Sequence, residues 1–155
     1  MNKRQIMSGS PDDTVWLSGK VGRELQGGEV IELASDLGGG KTTFVCGLAR
    51  GMGSRDAVRS PSFTLRNEYH AKAKGLTLYH FDFYRLAEPG IMRDELTEVL
   101  ADPKAVVVVE WGDIVEGVLP RQRINIKILS HGQDANSRTL VFTYPEHLEH
   151  LLENI

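Results

Sequence analysis

Apolar positions recur along this chain in two periods, and each period marks a different kind of element. Leu17, Val21 and Leu25 repeat every four residues, the spacing of one helix face. Ser10-Pro11-Asp12-Asp13 precedes them: a hydroxyl that can cap, a proline suited to the first helical turn, and two carboxylates at the positive end of the dipole. Gly27-Gly28 ends that helix. "EVIELA", Glu29 to Ala34, reads as a short strand. "TTFVCGLARGMG" reads as a second helix, with Phe44, Leu48 and Met52 on one face and stop signals at Gly51 and Gly53.

Farther along, the period shortens to two. Phe63, Leu65 and Tyr69 alternate with polar partners in "FTLRNEY", as in a strand with one wet face. "AKAKG" is a turn, and Leu76 to Phe83 is the next strand. Glu88 to Leu100 is helical, with a start weakened by Gly90. "AVVVVEW", Ala105 to Trp111, is apolar without alternation, the signature of a strand buried on both faces. Arg123 to Leu129 and Arg138 to Tyr144 both alternate and form a hairpin around the polar turn "SHGQDANS". Pro145 opens a last short helix carrying Leu148, Leu151 and Leu152, assigned to core or to partner contact alike. Residues 1–9 are the stretch open to disorder. Strands interleaved with helices predict an α/β three-layer sandwich with a mixed sheet and a C-terminal hairpin.

Composition narrows the function classes. A chain of 155 residues suits one domain with one sizeable core. Its net charge is -3 and no Lys/Arg cluster appears, so it is poorly equipped to grip nucleic acid unaided. One cysteine, Cys46, excludes an intrachain disulfide and fits a reducing cytosol. No apolar run is long enough to span a bilayer, and "MNKRQIMSGSPDD" lacks the apolar stretch of a signal peptide. A cytoplasmic protein without membrane contact is expected.

The chemistry concentrates in "ELASDLGGGKTTF". It is nearly the phosphate-binding pattern G-x-x-x-x-G-K-[ST], and it lies between a strand and a helix, as that pattern requires. Gly38, Gly39 and Gly40 let backbone N–H groups approach phosphate oxygens, and the following helix adds its positive end. Lys41 would reach the β- and γ-phosphates, and the Thr42 hydroxyl would bind Mg²⁺. The departure is Ser35, which stands where the first glycine belongs; it is tolerable at negative φ. Glu110 closes the apolar strand, at the carboxyl end where open α/β sheets bind ligands. There it could hold Mg²⁺ through water or orient an attacking water. Asp82 emerges at the end of its own strand, with His80 behind it on the same face; His80 is read as structural.

Four stretches, "SDLGGGKTTF", "SPSFTLRNEY", "LYHFDFYRL" and "VVVVEW", together resemble the TsaE (YjeE) family, small bacterial P-loop ATPases required for threonylcarbamoyladenosine modification of tRNA. The resemblance runs from about Pro11 to Arg138. It implies a P-loop NTPase-like fold, with ATP bound by Leu37, Gly38, Gly39, Gly40, Lys41, Thr42 and Thr43, and Mg²⁺ held by Thr42 and Glu110. Lys41, Asp82 and Glu110 would be the residues hydrolysis needs, with Trp111 beside the nucleotide and Arg138 approaching it from the last hairpin. Ser60, Pro61 and Ser62 would form a switch segment near the γ-phosphate, with Ser62 in place of the family's threonine. The implied partners are TsaB and TsaD, with tRNA met only indirectly.

Two other readings compete. A small-molecule P-loop kinase would share the loop and the acid, but "GDIVEGVLPRQR" after Glu110 leaves little room for an arginine-rich lid, and a solvated strand start explains Arg121 and Arg123. A nucleotide-binding module with a weakened loop would bind without turnover. Among the remaining residues, Cys46 reads as a small buried hydrophobe and Trp16 as packing. Asp12, Asp13 and Thr14 either edge an adenine site or cap the first helix.

Overall fold

The computed structural model describes residues 1–35, 38–61, 64–88 and 90–155. Leu37, Ser62 and Phe63, named above, therefore lie outside the described residues. Among those described, seven strands form one sheet: β1 (Asn2–Ser8), β2 (Val30–Ser35), β3 (Arg66–Ala71), β4 (Leu76–Asp82), β5 (Ala105–Glu110), β6 (Ile124–His131) and β7 (Asp134–Tyr144). Helices α1 (Pro11–Glu24), α2 (Lys41–Met52) and α3 (Gly90–Leu100) connect them, with 3₁₀ turns at Gly112–Val115 and Glu146–Leu152. The strand order is β1-β7-β6-β2-β5-β4-β3. Strands β6, β2, β5 and β4 run parallel, while β3 at one edge and β7 and β1 at the other pair antiparallel. The sheet is thus mixed, as expected.

Alternation along β5 explains the layers. Val106 and Val108 pack toward α1 and α2 with Ile31, Leu33, Phe44 and Leu48. Ala105, Val107 and Val109 pack on the other face with Val30, Phe81 and the α3 residues Leu96 and Val99. A strand sandwiched between two apolar layers needs no polar face. Leu148, Leu151 and Leu152 belong to the first layer, which settles them as core.

Helix α1 starts as its sequence dictates: the Ser10 hydroxyl accepts from Asp13 N at 3.0 Å, and Asp13 Oδ2 accepts from Gly9 N at 2.9 Å. It then crosses α2 at very short range through glycines. A Cβ on Gly51 would lie 2.1 Å from Gly19 O, and one on Gly47 would lie 2.5 Å from Val15 O. Only hydrogen fits between those backbones. Gly51→Ala is therefore expected to force the helices apart and cost about 1–3 kcal/mol of stability, seen as a lowered midpoint in urea unfolding.

Several expectations need correction. Asn2–Ser8 is not disordered but pairs antiparallel with β7 from Asn2↔Tyr144 to Ser8↔Arg138. The strand expected from Phe63 begins at Arg66, because Leu65 has φ 63° and turns the chain there. The hairpin is longer than its alternation suggested, reaching the pair His131↔Asp134, so only Gly132 and Gln133 connect β6 to β7. Trp16 is not packing: it is exposed, with Lys20 Nζ 3.7 Å from its ring centroid. Cys46 is half-buried rather than buried.

Candidate functional site

The sheet brings the chemistry-bearing residues to one end. Strands β4 and β5 pair in register with Asp82 opposite Glu110, and β5 in turn pairs with β2 at Leu33↔Glu110. Both carboxylates therefore sit at strand carboxyl ends, next to the strand that feeds the glycine loop. The loop leads directly into α2, whose N-cap is Gly40 at φ 104°. Gly38 also has positive φ, 74°. These two positions need glycine, since side chains are strained in that region.

A cavity of about 280 Å³ opens there. Gly38, Gly39, Gly40, Lys41, Thr42 and Thr43 line one wall, and Asp82, Glu110, Trp111, Tyr84 and Ser60 line the rest. The structure thus brings together Lys41, Thr42, Asp82 and Glu110, which the sequence singled out from three separate segments. Asp82 and Glu110 are both buried at 4 % exposure. Asp82 Oδ1 accepts from Tyr84 N at 3.0 Å, which fixes its side chain over the turn after β4. Asp82 N donates to Leu65 O at 3.0 Å, tying that turn to the residue just before β3.

Two features went unread in the sequence. Trp111 has φ 57°, a left-handed conformation that costs a bulky residue about 1–2 kcal/mol. It turns the chain out of β5 and sets the indole at the cavity rim, 4.9 Å centroid to centroid from the Tyr84 ring. His80 was read as an ordinary core histidine; it is fully buried, yet its Nε2 lies 3.0 Å from Glu110 Oε1. A signal for that contact existed in the two-residue offset between His80 and Asp82, because Asp82 is level with Glu110.

Lys41 and Ser35 are also in contact. Lys41 Nζ donates to Ser35 Oγ at 3.1 Å and approaches Ser35 O at 3.5 Å. The serine at the departing loop position thus supplies a polar partner for the ammonium that a glycine would lack. Ser35 is not among the residues of positive φ, so its Cβ is tolerated. Ser35→Gly is expected to remove one partner of Lys41 and tighten nucleotide binding by about two- to tenfold, the value of one ordinary hydrogen bond. Calorimetric titration with ATP checks this; unchanged affinity would show that the hydroxyl is indifferent.

Arg138 lies beside the loop: its Nε donates to Gly39 O at 3.1 Å. A second cavity, about 160 Å³, shares Gly38 to Gly40 and Thr43 and is walled by Pro11, Thr14, Ile128, Asn136 and Arg138. Thr14 edges it, whereas Asp13 is engaged in capping α1. Arg123 departs from expectation. It is buried, not solvated, and its Nε donates to Glu32 Oε2 and its Nη2 to Glu116 Oε2, each at 2.7 Å. Burial pushes the guanidinium down, but the bonds to Glu32 and Glu116 outweigh it and hold the group above its ordinary value. An arginine held this way is not free to close over phosphates as a kinase lid would.

The donor set suits a hard cation. Hydroxyl and carboxylate oxygens are what Mg²⁺ takes, and it fills its remaining positions with water and phosphate oxygens. Among the described residues no cluster of three or more His, Cys, Asp or Glu could hold a metal by itself.

Comparisons with known proteins bear on the family and the fold. Residues 8–140 match the family model described as Threonylcarbamoyl adenosine biosynthesis protein TsaE. The tRNA threonylcarbamoyladenosine biosynthesis protein TsaE of Treponema pallidum is 40% identical over 124 residues, 80% of this chain and 90% of that one. The Bacillus subtilis protein of the same name is 36% identical over 138 residues, 86% of this chain and 81% of that one. The crystal structure of Bacillus subtilis YdiB superposes with a TM-score of 0.80 at 32% identity, covering 99% of this chain and 93% of that chain. With its family model spanning most of the sequence and its fold matched over nearly its full length, the chain belongs to the TsaE family.

Proposed function

We propose that this chain binds ATP with Mg²⁺, hydrolyses it, and thereby serves threonylcarbamoyladenosine modification of tRNA by acting on a TsaB-TsaD complex. The observation that carries the reading is the meeting of Lys41, Thr42, Asp82 and Glu110 around one cavity closed by the glycine loop. Backbone N–H groups of that loop and the N-terminus of α2 receive the phosphates, and Lys41 swings from Ser35 to the β- and γ-phosphate oxygens. Thr42 and Glu110 would hold Mg²⁺, which when bound would supply neutralisation of the charge on those oxygens. Asp82 orients the attacking water. The water oxygen bonds to the γ-phosphorus and its proton passes to a γ-phosphate oxygen, the bond to the β–γ bridging oxygen breaks, and ADP departs with that oxygen while dihydrogen phosphate is released. Trp111 and Tyr84 shield the rim.

The pathway role comes from the relatives' names, which tie them to tRNA threonylcarbamoyladenosine biosynthesis. Acidity argues that tRNA is met through partners: the net charge is -3. A cytoplasmic location goes with that role, and among the described residues no helix is long and apolar enough to cross a membrane.

The test is ATP turnover by the purified chain, alone and with its own organism's TsaB and TsaD homologues, alongside thermal melts with MgATP. Binding to the folded state alone, at a hundredfold over the dissociation constant, adds about 2.7 kcal/mol and raises Tm. Phosphate release that rises with the partners is expected. An unmoved Tm together with no phosphate release would overturn the reading, and transfer of phosphate to a small acceptor would replace it with kinase chemistry.

A further inference from the structure

We infer that His80 is a positioning residue for Glu110: its Nε2–H holds one carboxylate oxygen so that the other is presented to the cation that accompanies the nucleotide. The inference rests on the ATPase reading above and adds a residue to it. His80 is fully buried, and Glu110, at 4 % exposure, lines the cavity. The 3.0 Å contact joins Nε2 to Oε1. An ionised carboxylate only accepts, so the hydrogen is on Nε2.

The other ring nitrogen is the reason for assigning this histidine more than a packing role. His80 Nδ1 has no hydrogen-bond partner among the described residues. Burying a polar atom unpaired destabilises a fold, and an apolar side chain of similar size would avoid that cost. The ring thus holds a place in the core at a disadvantage on one side, and among the described residues its only polar engagement is with Glu110. Geometry explains why the bond can form. Asp82 pairs with Glu110 across β4 and β5, so His80, two residues earlier on the same face, lies diagonally below the carboxylate. From there it fixes the side-chain rotamer without entering the cavity, and Oε2 is left for the cation. Carboxylate ligands are commonly held by such outer hydrogen bonds, and their loss weakens metal binding about 10–100-fold.

The experiment uses the full chain and three variants, His80→Gln, His80→Asn and His80→Leu. A glutamine amide nitrogen can take the place of Nε2, whereas asparagine is one bond short and leucine has no donor. Each is titrated by calorimetry with a non-hydrolysable ATP analogue, first without Mg²⁺ and then at rising Mg²⁺. His80→Leu and His80→Asn are expected to raise the Mg²⁺ concentration for half-maximal enhancement of binding about tenfold, with metal-free affinity unchanged. His80→Gln is expected to stay within about threefold of the parent. If leucine does not fold, the asparagine–glutamine contrast decides. Equal Mg²⁺ dependence in all folded forms, or equal weakening with and without the metal, overturns the inference. If the parent chain itself shows no Mg²⁺-dependent binding, the ATPase reading fails instead, and the two failures are thereby told apart.

Discussion

Lys41→Ala is expected to abolish measurable ATP turnover, a loss of about 10³-fold or about 4 kcal/mol of transition-state stabilisation. The ammonium is the sole cationic side chain lining the 280 Å³ cavity among the described residues. As the γ-phosphoryl group transfers, negative charge moves toward the bridging oxygen, and a fixed positive charge there stabilises the transition state more than the ground state. Binding should fall as well, since the same charge meets the phosphates before reaction. The fold should not suffer. Lys41 is only part-buried and its bonds are to Ser35, within the loop itself, so Tm should stay within the range of an ordinary surface change, about 0.5 kcal/mol. Phosphate release measured beside a melting curve separates the two effects. A folded Lys41→Ala protein that hydrolyses ATP at the parent rate would remove the glycine loop from the mechanism.

What the sequence made legible follows from how locally each feature is encoded. The loop, its flanking strand and α2 depend on neighbours within about twenty residues, so glycines, Lys41 and Thr42 announced themselves. Strand β5 was readable because burial on both faces leaves an uninterrupted apolar run, Ala105 to Val109. Strand β1 was not: "NKRQIMS" is polar and mostly exposed, and it is a strand only because β7 offers a free edge. Nothing local could reveal that. Arg123 failed in part for a similar reason: Glu116 is only seven residues away, but Glu32, the partner of its Nε, comes from β2, 91 residues earlier. Positive φ at Leu65 and Trp111 went against side-chain preference and is imposed by tertiary contacts, such as Leu65 O accepting from Asp82 N. The candidate site itself was half legible. Each residue could be named, but their meeting depended on strand order, which puts β5 between β2 and β4.

Glu110 offers the second large effect, and two substitutions there separate charge from packing. Glu110→Ala removes the carboxylate and also leaves His80 Nε2 without its partner in a fully buried position. Glu110→Gln removes the charge but keeps an oxygen for His80 to donate to. Both variants should lose turnover by about 10²–10³-fold, because a neutral or absent side chain no longer anchors the cation against the developing charge. Nucleotide affinity should fall far less, by about tenfold at most, since the loop amides and Lys41 still meet the phosphates. A loss concentrated in kcat is the mark of an interaction made chiefly in the transition state. Stability should split the pair: the unpaired buried imidazole in Glu110→Ala costs about 1–3 kcal/mol, while Glu110→Gln melts close to the parent. Steady-state kinetics, nucleotide titration and melting curves on the same preparations give turnover, affinity and stability for both variants. Equal loss of affinity and turnover in Glu110→Gln would make this carboxylate a binding group, and full turnover in either variant would take it out of the chemistry, leaving Asp82 as the acid that matters.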